Sequence, residues 1–306
     1  MKLSRKVAAA LSVAALALTA ACGSGVPTAD GAITIGLAVS TLNNPYFVQL
    51  TEGAREAAGR LGVQLAMVDA QNDAINQVNQ VQTFITQGMQ SIIINPVDST
   101  QARPAAEAAE NANIPLISVD RSIDGGKVAS EIVSDNVQGG RLAAIELDRV
   151  TSGAVVHLQG IPGTSASRDR GQGFEKGLSS ASIQVVAVQP ADFDRTRGLD
   201  VMTNLLQSHP TLTGVFAEND EMALGAIRAL GDRAGKDVHV VGFDGTPEAL
   251  SAIEAGAMAA TIAQQPKVLG RTAVEQAIKA AKGQPVQQVI DVEVKVVTTQ
   301  NVAEFR

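Results

Sequence analysis

The chain has 306 residues, 45% hydrophobic and 18% charged, which is enough for two domains of ordinary size, each with its own core. A formal net charge of -7 argues against a nucleic-acid partner, whose binders present a basic face. The lone cysteine, Cys22, excludes an intrachain disulfide and any zinc site built from several thiolates.

At the N-terminus, Lys2, Arg5 and Lys6 precede an apolar stretch from Val7 to Leu18, and Thr19-Ala20-Ala21-Cys22 follows with small residues. This is the layout of a secretory signal peptide, and the apolar stretch is short for a transmembrane helix. A signal that ends on Cys22 resembles a bacterial lipobox, in which the cysteine becomes the lipidated first residue of the mature chain. Thr19 stands where that motif usually has Leu, so a plain soluble secreted form remains open. Residues 1–22 are thus assigned as a lipoprotein signal and 23–31 as a flexible tether. The expected location is outside the cytoplasm, at the outer face of the cell membrane or in the periplasm.

Beyond the tether, short Val/Ile-rich runs alternate with amphipathic segments. Strands are predicted at Ile33 to Val39, Val63 to Val68, Ser91 to Ile94 and Leu116 to Val119. Helices are predicted at Pro45 to Leu61, Ala74 to Gln87 and Gln101 to Asn111. In the first helix Phe47, Leu50, Ala54, Ala57 and Leu61 recur at helical spacing. A second series begins near Asp135, with helices at Val137 to Val150, Arg168 to Leu178, Thr196 to Ser208, Glu221 to Leu230, Pro247 to Ala255 and Lys267 to Ala281. Its strands are Val155 to Leu158, Ile183 to Val188, Gly214 to Ala217, Val238 to Phe243 and Ala260 to Ala263, with Val289 to Val297 as a last extended run. Two series of βα units predict an α/β fold of two doubly wound parallel-sheet lobes.

In such sheets, ligands sit beyond the carboxyl ends of the strands. Those positions supply Ser40, Asn44, Tyr46, Phe47, Asn95, Asp120 and Arg121 from the first series. The second supplies Arg168, Phe193, Asn219, Asp244 and Gln264. Planar Asn, Asp, Gln and Arg groups grip neighbouring sugar hydroxyls in pairs, and aromatic rings pack on the apolar faces of a sugar ring. Each residue also has a purely structural alternative. Ser40 and Asn44 can cap the helix at Pro45, and Asp98 or Ser99 the next one. Asp220 reads as a helix cap, with its neighbour Asn219 as the ligand contact. Asp120 and Arg121 can pair with each other, Arg168 with Asp169 or Glu175, Phe193 can belong to the core, and Asp244 can serve a turn. The recurrence of this chemistry at one end of successive strands favours a site.

The loops match a known pattern in order: Ser40-Thr41-Leu42-Asn43-Asn44-Pro45, Ile94-Asn95-Pro96, Val119-Asp120-Arg121, Ala191-Asp192-Phe193-Asp194-Arg195, Asn219-Asp220-Glu221-Met222, Gly242-Phe243-Asp244-Gly245-Thr246 and Ala260-Thr261-Ile262-Ala263-Gln264. From about Ile33 to Val297 the chain resembles the sugar receptors of bacterial ABC importers, the ribose receptors above all, within the type I periplasmic binding proteins. The resemblance implies that Ser40, Asn44, Phe47, Asn95, Asp120, Arg121, Arg168, Phe193, Asn219, Asp244 and Gln264 line the cleft or the hinge, with aromatics sandwiching the sugar. It further implies a three-crossing hinge near Ser134-Asp135, Gln264-Gln265 and Asp291-Val292. The first lobe would be 32–134 plus 265–291, and the second 135–264 plus 292–306. Tyr46 stands where such receptors usually have Phe, and Glu218 where Gln is usual. Glu218 should point away from Asn219 along the strand and act from behind.

The expected function is capture of a monosaccharide, ribose first, by hinge closure and delivery to a permease with its ATPase. No cofactor or metal is expected, and the receptor is expected to act as a monomer. The main alternative keeps the mechanism and changes the ligand to another pentose, a hexose or a furanosyl signalling compound. An enzyme is disfavoured, because His157, His209 and His239 fall away from the ligand loops and no P-loop, HExxH or GxSxG motif occurs. A sugar-responsive repressor would begin with a DNA-binding helix-turn-helix, where this chain has an export signal.

Overall fold

Helix starts in this chain are written locally. Asn44 accepts a hydrogen bond from the Tyr46 amide at 2.9 Å, and Pro45 opens the helix that follows. Asp73, Asp135, Thr164, Asp194, Asn219 and Thr246 cap later helices in the same way. A computed structural model describes residues 32–178 and 182–306. The expected signal peptide, the tether and Cys22 lie outside the described residues.

In chain order the first series is β1 (Thr34–Val39), α1 (Pro45–Leu61), β2 (Gln64–Asp69), α2 (Ala74–Thr86), β3 (Ser91–Ile94), α3 (Arg103–Asn111), β4 (Leu116–Val119) and β5 (Ser130–Ser134). Then come α4 (Asn136–Val150), β6 (Gly153–Gln159), α5 (Ser165–Gly177), β7 (Ile183–Pro190), α6 (Arg195–Ser208) and β8 (Gly214–Ala217). The chain continues with α7 (Asp220–Leu230), β9 (His239–Asp244), α8 (Pro247–Glu254), β10 (Ala260–Ala263), α9 (Pro266–Ala281), β11 (Val289–Val292) and β12 (Lys295–Thr298).

Among the described residues these strands form two six-stranded sheets, ordered β11-β5-β4-β3-β1-β2 and β12-β10-β9-β8-β6-β7. All neighbours run parallel except β12, which pairs antiparallel with β10. β3, β4, β8 and β10 are buried throughout, as central strands covered on both faces must be. Four apolar clusters follow, one for each sheet face. On the first sheet, α1 and α9 cover one face with Phe47, Leu50, Ala54, Leu269 and Val274, and α2 and α3 cover the other with Val81, Phe84, Ala105 and Ala109.

Helices α1 and α9 approach so closely that only glycine fits where they cross. A Cβ on Gly270 would lie 2.0 Å from the Leu50 carbonyl oxygen, and one on Gly53 would lie 2.3 Å from that of Lys267. The pair α4 and α5 meets the same way at Gly140 and Gly173.

The chain leaves the first sheet after Ser134, leaves the second after Ala263 and leaves the first again after Val292. The run from 289 to 297 is therefore two strands in different sheets, not one extended piece. β5 also lies outside the elements predicted from sequence. It is a short strand with alternating burial, and it pairs with both β4 and β11.

Candidate functional site

The carboxyl ends of the two sheets face each other across a cavity of about 240 Å³. It is lined by Asn44, Tyr46, Phe47, Asp120 and Arg121 from the first sheet's loops. Ala166, Arg170, Phe193, Asn219, Asp244 and Gln264 complete it.

Two arginines and two aspartates dominate its interior. Arg121 is 3% exposed, donates through Nη1 to the Pro96 carbonyl at 2.8 Å, and sets Nε 3.6 Å from Asp120 Oδ2. That Nε has no hydrogen-bond acceptor in range. Its guanidinium lies 5.2 Å from the ring centre of Phe47 and 5.4 Å from that of Phe193. Arg170, also 3% exposed, donates to Asn136 Oδ1 at 2.9 Å and to the Glu218 carbonyl at 2.7 Å. It stands 3.8 Å from Asp244 Oδ1 and 3.9 Å from the ring centre of Phe243. Gln264 Nε2 donates to the same Asp244 oxygen at 2.7 Å.

Burial sets the proton affinities. It pushes the Asp244 carboxyl well above the usual range, and Arg170 only partly offsets it. It pulls the Arg121 guanidinium down, against the Asp120 charge, and it raises the Tyr46 phenol, with Asp120 adding to the effect. Three lining residues have left-handed backbones: Asp120 (φ 69°), Phe193 (φ 59°) and Asp244 (φ 124°). Non-glycine residues hold such angles at a cost, and such strain gathers at ligand sites.

Asp220 holds the Asp244 turn in place. Buried at the start of α7, it accepts from the Gly245 and Thr246 amides at 2.9 and 2.8 Å, and from the Thr246 and Thr261 hydroxyls at 3.1 and 2.7 Å. Burial raises its carboxyl to about 6 despite these donors.

A model of the periplasmic binding protein domain matches residues 35–285. The chain belongs to that family. This periplasmic binding protein is 47% identical over 290 residues to the ribose import binding protein RbsB of Escherichia coli K12, covering 94% of this chain and 97% of the relative. It is equally identical over 267 residues to the ribose import binding protein RbsB of Bacillus subtilis 168, covering 87% of each. Among solved structures it superposes with a TM-score of 0.85 and 36% identity on an ABC transporter solute binding protein from Mycobacterium smegmatis with bound glycerol, covering 90% of this chain and 96% of that one.

In this periplasmic binding protein, the geometry brings nine of the twelve expected residues to the cavity wall: Asn44, Tyr46, Phe47, Asp120, Arg121, Phe193, Asn219, Asp244 and Gln264. Ser40 and Asn95 sit behind it. The Ser40 hydroxyl donates to Asn95 Oδ1 at 2.7 Å, and Asn95 Nδ2 donates to Asp120 Oδ2 at 3.2 Å, so both orient Asp120.

Arg168 is the correction. It points to the surface, donates to both oxygens of Asp124 at 2.9 and 3.0 Å, and leaves the interior to Arg170. The cause is helix phase. α5 begins at Ser165 on the Thr164 cap, three residues earlier than predicted. Two residues further along a helix turn a side chain by about 200°, so Arg168 and Arg170 face opposite ways. The signal was readable: Ala166, Arg170 and Phe174 recur every fourth residue on the buried stripe.

Two cap assignments also change. Asn219 both lines the cavity and caps α7, accepting from the Met222 amide at 3.0 Å, whereas Asp220 is the buried clamp described above. Asp98 caps its own turn through the Thr100 and Gln101 amides at 2.9 and 2.8 Å, while Ser99 accepts from the Ser165 amide at 2.9 Å, bridging the two halves. Glu218 points away from the cavity, as alternation along a strand requires, and accepts from Gly160 at 2.7 Å and from the Ser167 hydroxyl, with His157 Nε2 at 2.8 Å.

Proposed function

We propose that this periplasmic binding protein captures a monosaccharide, ribose before others, by closing its two lobes, and hands it to the permease and ATPase of an ABC-type importer. The observation that carries the reading is the cavity wall itself: two Asp, two Arg, two Asn and a Gln converge with Tyr46, Phe47 and Phe193 from both sheets. A pentose asks for such groups, and the identity to the ribose import binding proteins supports ribose over other sugars. The moving bodies are the lobes 32–134 plus 265–292 and 135–264 plus 293–306, the last crossing following β11. Sugar bound to one lobe gives the closed form its differential affinity.

In this reading the chain is exported and acts as a monomer. A lipid on Cys22 holds it near the importer and raises its effective concentration there. A second reading, another pentose, a hexose or a furanosyl compound, draws support from the Tyr46 hydroxyl inside the cavity.

Calorimetric titration of the chain begun at Gly23 with ribose and a sugar panel tests the proposal. Ribose binding with micromolar or tighter Kd, lost in Asp120→Ala, is the expected result. Heat only with another sugar moves the specificity and keeps the mechanism, and no binding across the panel refutes the sugar reading.

A further inference from the structure

Tyr46 brings to the cavity something its ring alone would not. The ring is 3% exposed and packs edge-on against Phe47, 5.2 Å between centres at 78°. Its hydroxyl donates to Asp120 Oδ1 at 2.7 Å, and its oxygen lies 3.2 Å from Gln264 Oε1. Gln264 in turn holds Asp244 through its amide nitrogen at 2.7 Å. The Asp120–Tyr46 pair from one sheet thus meets the Gln264–Asp244 pair from the other across the cavity.

The phenol has one proton, and the charged, nearer carboxylate takes it. Asp120 is therefore served on both oxygens by the protein: Oδ1 by Tyr46, and Oδ2 by Asn95 at 3.2 Å. A phenylalanine would fill the same space and leave Oδ1 without a donor. A buried carboxylate oxygen in that state must be satisfied by the ligand, and a ligand lacking the hydroxyl is then rejected strongly.

We infer that Tyr46 is a specificity-determining residue whose hydroxyl stands in for one ligand hydroxyl at Asp120. The cavity accordingly tolerates a sugar that is deoxy at that locus. The inference rests on the sugar-receptor reading above.

The test compares the protein and its Tyr46→Phe variant by calorimetry, using the tightest-binding sugar of the panel and each of its monodeoxy analogues. Thermal melting followed by circular dichroism confirms that the variant is folded. In the unaltered protein, one monodeoxy analogue is expected to bind within about threefold of its parent. In Tyr46→Phe that same analogue should fall about tenfold or more behind the parent, about 1.4 kcal/mol. Parallel analogue profiles in the two proteins overturn the assignment to Tyr46 while leaving the receptor reading intact. Absence of binding by every sugar to the unaltered protein overturns both.

Discussion

Arg168 and Arg170 differ by two positions and should differ by about tenfold or more in their effect on binding. Arg170 is buried, donates two hydrogen bonds and stands 3.8 Å from the buried Asp244. Breaking a buried pair by removing one partner costs roughly 3–5 kcal/mol, because the other charge is stranded. Asp244 can shed part of that cost by taking up a proton, since burial already raises its carboxyl. The loss of fold stability in Arg170→Ala should then sit near the low end, about 3 kcal/mol. Separately, losing a charged donor from the cavity wall should cost ligand binding about 1.5–3 kcal/mol, roughly 10- to 100-fold in Kd. Arg168 holds Asp124 with both side chains more than 40% exposed. Such a pair is worth about 0–1 kcal/mol of stability, and neither residue lines the cavity, so Arg168→Ala should leave binding nearly unchanged. Titration calorimetry of both variants with ribose measures the contrast directly. Adding Asp244→Asn to Arg170→Ala should restore part of the fold's stability, as the stranded carboxylate is removed. Equal losses from the two arginine variants would refute the placement of Arg170 as the interior cation.

Acidity should act through the buried carboxylates. Asp220 rises to about 6 in the fold from an unfolded value near 3.9, so the native state binds the extra proton and its contribution to stability is lost as pH rises through about 4 to 6. In urea melts, the stability of the protein relative to Asp220→Asn should fall across that window and level off above pH 7; a difference that grows with pH contradicts the assignment. Gly270→Ala forces a Cβ to 2.0 Å from the Leu50 carbonyl and should lower Tm by several degrees, about 1–3 kcal/mol of overpacking. Gly59, on the open side of α1 with nothing within 4 Å, is its control: Gly59→Ala should stabilise by about 0.5–1 kcal/mol. Phe193→Ala removes the ring beside both buried arginines and should weaken sugar binding at least tenfold in the same calorimetric assay.

What could be read in advance follows burial. Ser91–Ile94, Leu116–Val119, Gly214–Ala217 and Ala260–Ala263 are predicted with the bounds they have, because short apolar runs between turn residues fit only a doubly covered strand. β5 escapes because Ser130–Ser134 carries just two apolar residues and its pairing depends on β11, more than 150 residues away. The change of sheet between Val292 and Lys295 leaves no trace in a run that stays β-prone throughout. In the cavity, residues placed by strand ends were found, since the strand end fixes where they emerge. Arg170 is not legible from the strand end, because α5 starts at Ser165 and a residue one turn into a helix takes its direction from helix phase, not from where the strand ends. Ser40 and Asn95 show a further limit: the right chemistry at the right strand end can serve the neighbouring carboxylate instead of the cavity wall.

The triple passage of the chain between sheets also orders the events of synthesis. The first sheet begins with β1 at Thr34, yet its edge strand β11 ends at Val292, and α9, which covers one of its faces, spans Pro266–Ala281. The half begun first is therefore completed only by β11, just before β12 (Lys295–Thr298) completes the second. Until nearly the whole polypeptide has emerged, β5 has an unpaired edge and the cluster around Leu50 and Ala54 lacks Leu269 and Val274. Neither half can be cut out as one continuous segment, and a nascent chain stopped short of residue 266 retains an open apolar face. A polypeptide that cannot finish its first half early is one that a translocation channel can still receive unfolded.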